Sequence, residues 1–267
     1  MLINYELSHL TAPSLFPAAK SLWLRDISMV ESHSLLKQGN FVTKRFLFGP
    51  DAIAKFKTDA ATNGVQNPTR VEVVSALIWK CAMGASKEAC GSQNTSRVIH
   101  FVNLRKKLVS DMSKDFICIM IWIANAVCHP DSNETTLYGL ASKVRESISK
   151  VDVEFVNKAQ GNKGYIVMMK SLQEIGQVGS KGPIDNYNFT SWCNMGFYEI
   201  DFGWGKPSWE TGLVGDGIPV FMNLVTLMDT KSGGGIEAWL ILDEKEMKIL
   251  QCNQELLAYA SLDPSPL

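Results

Sequence analysis

The alternation of apolar and polar positions divides the chain into strands and helices without a regular repeat. The stretch F-V-T-K-R-F-L-F, residues 41–48, is rich in β-formers and sets Val42 and Phe46 on one face, and Gly49-Pro50 stops it. P-D-A-I-A-K-F-K-T-D-A-A follows, with Ile53 and Phe56 at helical spacing. The clearest helix starts at N-P-T-R-V-E-V-V-S-A-L-I-W-K-C-A-M-G-A-S, where Asn67 predicts the N-cap and Pro68 the first helical residue. Val71, Val74, Ser75, Ile78 and Ala82 form its stripe, and Gly84 is the expected stop.

Residues 96–105, S-R-V-I-H-F-V-N-L-R, predict a strand. The most apolar run, F-I-C-I-M-I-W-I-A-N-A-V-C at 116–128, is too short to cross a bilayer as a helix and reads as a buried strand or core segment. Leu137, Leu140, Ala141, Val144 and Ile148 predict a helix from Glu134 to about Lys158, and a further helix spans Tyr165 to Ile175. G-Q-V-G-S-K-G-P-I-D-N-Y-N is punctuated as a loop. Three strands follow, in F-T-S-W-C, P-V-F-M-N-L-V-T-L-M and I-E-A-W-L-I-L-D, the last two joined by D-T-K-S-G-G-G. The closing D-E-K-E-M-K-I-L-Q-C-N-Q-E-L-L-A-Y-A predicts one helix, with Asp243 and Glu246 as a capping-box variant. Strands and helices mixed in this order predict an α/β fold, a mixed sheet with flanking helices.

Composition narrows the function. Apolar residues make up 46% and charged residues 20%, which is globular and not disordered. A net charge of -1 gives no basic excess for nucleic acid or an anionic membrane. The N-terminus has no basic region ahead of an apolar core, so no secretory signal is read there, and cytoplasmic residence is expected. Six cysteines without C-x-x-C spacing, several inside apolar runs, fit reduced core thiols. Four histidines, His9, His33, His100 and His129, show no ligand spacing, so no metal site is expected.

The densest cluster of special residues is E-I-D-F-G-W-G-K-P-S-W at 199–209. D-F-G alone does not make a kinase, which also needs a glycine-rich loop, a strand lysine and an H-R-D loop. No G-x-x-x-x-G-K-[ST] and no G-x-S-x-G occurs either. Gly203 and Gly205 flank Trp204, so the backbone can turn on either side of a large ring, and the expectation is that the ring is driven into the core.

Taken together, Asp201, Phe202, Gly203, Trp204 and Gly205 followed by Lys206-Pro207, with N-P-T-R-V-E-V-V-S-A-L-I-W-K-C-A, V-N-L-R-K-K, T-S-W-C-N-M-G-F-Y-E-I and N-Q-E-L-L, resemble the plant BAHD acyl-CoA-dependent acyltransferases, in the branch that contains vinorine synthase. The resemblance runs from about Phe41 to Ala260. It implies the second half of a two-domain fold with a channel between the halves: residues 1–40 as a connector from the first domain, and 41–267 as the C-terminal domain. It implies acyl-CoA as co-substrate, no tightly bound cofactor, and a small alcohol or amine acceptor. Thr190, Ser191 and Trp192 would lie beside the pantetheine arm, and Asp201 would pair with Arg105 as a structural joint. P-S-L-F-P at 13–17 looks like a segment found shortly after the family's H-x-x-x-D motif, whose histidine is the general base.

Two departures stand out. None of the four histidines has aspartate at i+4, so no catalytic residue is assigned to this chain. Cys118 and Ile119 stand where relatives carry Gly-Asn, which alters the polarity of that strand. The expected alternatives are therefore an acyltransferase of specialised metabolism and a non-catalytic, truncated half-domain. The half-domain would self-associate or need a partner over its bare inter-domain face.

Overall fold

The computed structural model describes residues 16, 36–108, 120–130, 135–161, 163–179 and 183–265. In chain order the elements are β1 (Lys37–Phe48), α1 (Pro50–Thr62), α2 (Arg70–Cys90), β2 (Thr95–Asn103), β3 (Ile121–Cys128), α3 (Leu137–Ser149), α4 (Val153–Ala159), α5 (Gly164–Gly179), β4 (Ile184–Ser191), β5 (Ile218–Phe221), β6 (Leu224–Asp229), β7 (Ile236–Asp243), α6 (Glu244–Leu250), α7 (Gln254–Leu257) and β8 (Ser261–Leu262). Short 3-10 turns occupy Arg105–Lys107 and Phe197–Glu199. One eight-stranded sheet runs in the order β3-β2-β4-β6-β7-β1-β5, and β8 adds to β1. β4 is parallel to both β2 and β6; the other pairings are antiparallel. This is the mixed α/β sheet with flanking helices that the pattern predicts.

The principal core lies between α2 and the sheet. Trp79, Leu77 and Ile78 of α2 meet Phe46 and Phe48 of β1, Phe189 of β4, Val225 of β6 and Leu240 of β7, all buried. The Trp79 indole N–H donates to Ser96 Oγ at 2.7 Å, so the buried ring leaves no orphan donor. A second cluster, with Leu104, Met120, Ala124 and Val156, sits at the β3 end of the sheet and receives Phe16.

Several element boundaries differ from the sequence reading. The cap of α2 is Thr69, whose hydroxyl accepts from the Glu72 amide while the Glu72 carboxylate accepts from the Thr69 amide. Asn67 instead takes φ 45°, a left-handed turn position that cannot cap a helix. Gly84 lies within α2, and the helix ends at Gly91 with φ 76°. Packing along the whole apolar stripe outweighs one glycine.

The helix expected from Glu134 to Lys158 is two, because the Asp152 carboxylate accepts from Phe155 N at 2.7 Å and starts α4 anew; Glu134 itself lies outside the described residues. β4 begins at Ile184, inside the stretch read as a loop. Its polar side chains are buried and paired: Ser86 Oγ donates to Asp185 at 2.7 Å, and Arg97 Nε to Asn186 at 2.6 Å. P-V-F-M-N-L-V-T-L-M is two strands, because the chain leaves the edge of the sheet at Phe221 and re-enters its interior at Leu224.

The last helix is likewise two, with Asn253 capping the second. Asp243 caps α6 by accepting from Lys245 N, but Glu246 turns to Lys37 Nζ at 3.0 Å instead of closing a capping box. β1 starts at Lys37 rather than Phe41, so the expected connector of residues 1–40 overlaps it.

Candidate functional site

Thr190, Ser191 and Trp192 stand at the C-terminal end of β4, the strand held between two parallel neighbours. Thr190 faces Phe101 of β2 and Thr226 of β6 across those pairings. The Trp192 amide donates to Leu227 O at 2.8 Å, which extends the ladder one residue past the strand. Strand ends of this kind are where open α/β sheets place ligands. All three side chains are half-buried.

The Trp192 ring meets Phe197 edge-on, with centroids 6.0 Å apart, and lines a cleft of about 330 Å³. The opposite wall is the β6–β7 hairpin at Lys231, Gly233 and Gly234. Gly233 and Gly234 both take positive φ, at 76° and 73°, so the turn needs them. Trp192 and the K-S-G-G-G turn, far apart in sequence, are thus brought together, whereas Thr190 and Ser191 hold the strand and do not line the cleft.

Arg70, from the first turn of α2, fixes the hairpin. Its guanidinium bonds Asp229 at 2.9 Å and donates to Gly235 O at 3.2 Å. The other Asp229 oxygen accepts from Asn194 N at 2.6 Å. Glu210 also lines this cleft and was not singled out by the sequence. Its Oε1 is buried and has no partner among the described residues. Burial first, then the nearby Asp229 and Glu237, push its carboxyl pKa up. A buried carboxyl oxygen without a partner in a cleft is free to accept a hydrogen bond from a ligand. No local motif marks Glu210, since its neighbours arrive from β6 and β7.

The D-F-G-W-G loop overturns two expectations. Trp204 is 84% exposed and Phe202 73% exposed, so the ring is not wedged into the core. Asp201 does not reach Arg105: one of its oxygens accepts from Gly203 N at 2.7 Å and from Gly205 N at 3.0 Å. These two amides hold its carboxyl below the usual carboxylate range. Gly203 and Gly205 do take the positive φ expected of them, 102° and 107°. The loop closes on its own backbone. The tryptophan of this stretch that joins the body of the protein is Trp209, which lies 5.7 Å from Trp239 and donates to Glu237 at 3.3 Å. Arg105 opens the 3-10 turn after β2, its amide donating to Asn103 Oδ1 at 3.0 Å.

Neither described histidine is placed as a general base at this cleft. His100 is 3% exposed, bonded to Ser75 Oγ at 3.2 Å and stacked on Phe189, and burial pushes its pKa down to about 4. It is neutral and sealed from solvent at pH 7. His129 is exposed and lies 3.4 Å from Thr95 Oγ1. His9 and His33 lie outside the described residues, as do Cys118 and Ile119. Among the described residues no three His, Cys, Asp or Glu side chains gather to hold a metal. Cys193, beside Trp192, is a half-buried thiol packed against the core, and burial pushes its pKa up. No helix among the described residues is long and apolar enough to cross a membrane.

Comparison with known proteins shows the family of the chain. A family model described as the Transferase family matches residues 13–257. Limonoid 7-O-acetyltransferase of Citrus sinensis is 45% identical over 233 residues, covering 86% of this chain and 50% of that protein. Epi-neemfruitin B 7-O-acetyltransferase of Melia azedarach is 39% identical over 258 residues, covering 96% and 56%. Among solved structures, vinorine synthase superposes with a TM-score of 0.63 at 28% identity, covering 83% of this chain and 48% of that one. TRI101 of F. sporotrichioides, solved with coenzyme A and T-2, shares the fold at a TM-score of 0.65 and 20% identity. The chain spans about half the length of the curated relatives it matches.

Proposed function

This chain belongs to the BAHD transferase family, and from that premise we propose that it is the second half of an acyl-CoA-dependent O-acyltransferase acting on a hydroxylated plant specialised metabolite. The observation that carries the reading is the 45% identity to a limonoid 7-O-acetyltransferase across 86% of this chain. Membership implies the reaction class. An acceptor hydroxyl attacks the thioester carbonyl of acyl-CoA, a tetrahedral oxyanion forms, and the thiolate of CoA leaves. The proton of the acceptor passes to a general base, which the resemblance assigns to the histidine of H-x-x-x-D.

In this reading the chain supplies one wall of the channel. Trp192 and the Lys231–Gly234 turn form the CoA side, and Thr190 and Ser191 anchor the strand that presents Trp192. Glu210 orients a hydroxyl or amide of whichever substrate enters. The base comes from the first half, because no histidine here has aspartate at i+4 and His100 is sealed.

A second reading, a non-catalytic half-domain that binds a partner, is favoured by that same missing motif. One assay separates them. Purified chain is mixed with acetyl-CoA and a panel of triterpenoid alcohols, with and without a first-half polypeptide, and thiol release is followed. Turnover that appears only with the first half supports the acyltransferase reading. Absence of turnover from a demonstrated complex of the two halves supports the non-catalytic one.

A further inference from the structure

The exposure of Phe202 and Trp204 is built, not incidental. Asp201 accepts from two amides of its own loop, Gly203 and Gly205 adopt backbone conformations closed to most residues, and Lys206 pairs with Glu199. The two rings lie 5.7 Å apart and hold each other. A loop this constrained loses little further entropy when something docks on it. Of the eleven large hydrophobic side chains exposed among the described residues, six fall between 195 and 214: Met195, Ile200, Phe202, Trp204, Leu213 and Val214. Of these, Phe202 and Trp204 are the most exposed and touch each other, and Trp is among the residue types enriched where binding energy is concentrated.

The stretch also begins at the rim of the Trp192 cleft, because Glu199, which Lys206 holds, lines that cleft.

We propose that the Asp201–Gly205 loop is a docking knuckle, and that Phe202 and Trp204 insert into the first half of the acyltransferase fold, closing the Trp192 cleft. The inference rests on the functional reading above. The occupant follows from length: this chain covers 48% of the vinorine synthase chain it superposes on and 50% of its Citrus sinensis relative, so a whole half of the fold lies outside it. Among the described residues, none covers the two rings.

The test is a binding measurement on the full chain, with the first half of the Citrus sinensis 7-O-acetyltransferase as a separate polypeptide. Sedimentation and titration calorimetry read stoichiometry and affinity. A one-to-one heterodimer is expected. Trp204→Ala should weaken it by roughly thirtyfold or more and Phe202→Ala by roughly tenfold. Lys245→Ala, on exposed α6 surface, should leave it unchanged. Because both rings are exposed, neither variant should alter the melting temperature, which separates lost docking from lost folding.

Three results would overturn the proposal: no heterodimer, a heterodimer indifferent to both ring variants, or a homodimer that Trp204→Ala dissolves, which would make a second copy the occupant. Thiol release measured on the same complex keeps the two inferences apart. A Trp204-dependent but inactive complex sinks the acyltransferase reading and leaves the knuckle standing.

Discussion

At the scale of single residues, charge placement decides what each substitution does. A buried Asp201–Arg105 pair would make Asp201→Asn cost several kcal/mol. The observed aspartate is exposed and serves its own loop, so Asp201→Asn should shift the melting temperature only slightly. Its carboxyl is held low by two amides. That contribution is present above the unfolded pKa and is lost as pH falls through the folded one, so the small difference between wild type and Asp201→Asn should vanish in strong acid.

Glu210 has the opposite sign. Its pKa is raised by burial and by Asp229 and Glu237, so ionisation opposes folding, and stability falls as pH rises through its folded pKa. Glu210→Gln should therefore melt higher than wild type at pH 7 to 8. The gap should close below the ordinary glutamate range, as followed by thermal melts across pH. Arg45 is a buried cation with a carboxylate partner. It bonds Glu237 at 3.0 Å, lies 5.2 Å from the Trp209 ring centroid, and is nearly inaccessible to solvent. Arg45→Met leaves the Glu237 carboxylate buried without its cation, with only the Trp209 indole as donor, and should cost about 3–5 kcal/mol in urea denaturation.

At the scale of elements, α2 bears both the core and the site. Its reciprocal cap at Thr69 and Glu72 also receives Arg145 from α3, whose guanidinium bonds Glu72 at 2.7 Å. Thr69→Ala should cost about 1 kcal/mol. Glu72→Ala should cost more in the same denaturation experiment, since it releases the cap and the α2–α3 tie together. The helix itself was legible from its stripe, as were the strands I-E-A-W-L-I-L-D and S-R-V-I-H-F-V-N, where β-branched and aromatic residues recur.

What escaped the pattern has a common cause. Asp185, Asn186 and Asn188 look like loop residues, yet partners far along the chain satisfy them inside the sheet. Asn67 reads as the cap from its residue type alone, and its left-handed turn geometry, which no sequence pattern announces, leaves that role to Thr69. At the cleft, Trp192 is one of three residues that the resemblance singles out, and its ring lies on the cleft wall. Glu210 was not legible, because its character comes from Asp229 and Glu237, which the strand order places beside it. The outward direction of Trp204 was hidden as well, since two flanking glycines permit a ring to turn either way.

At the scale of the whole molecule, the sheet gives this chain a core of its own, and in the proposed reading the general base is what a second half would bring. The Trp192 cleft has a wall on each side but no described histidine placed as a base, and the aromatic loop at its rim faces solvent. Acyl transfer needs the thioester, the hydroxyl and the base within reach of one another, and positioning alone accounts for several kcal/mol of such a barrier. The chain alone should therefore release thiol from acetyl-CoA no faster than a boiled control. Addition of a first half that carries H-x-x-x-D should produce turnover that saturates with the heterodimer concentration. Replacing the histidine of that partner by alanine should lower the rate about 10²- to 10⁴-fold without weakening the complex. Trp204→Ala should instead leave the rate of the fully formed complex nearly intact and raise the partner concentration needed to reach it. A rate that falls equally in both variants at saturating partner would mean that the loop acts on the chemistry itself. A rate from the chain alone that matches the complex would mean that the base lies within these residues after all.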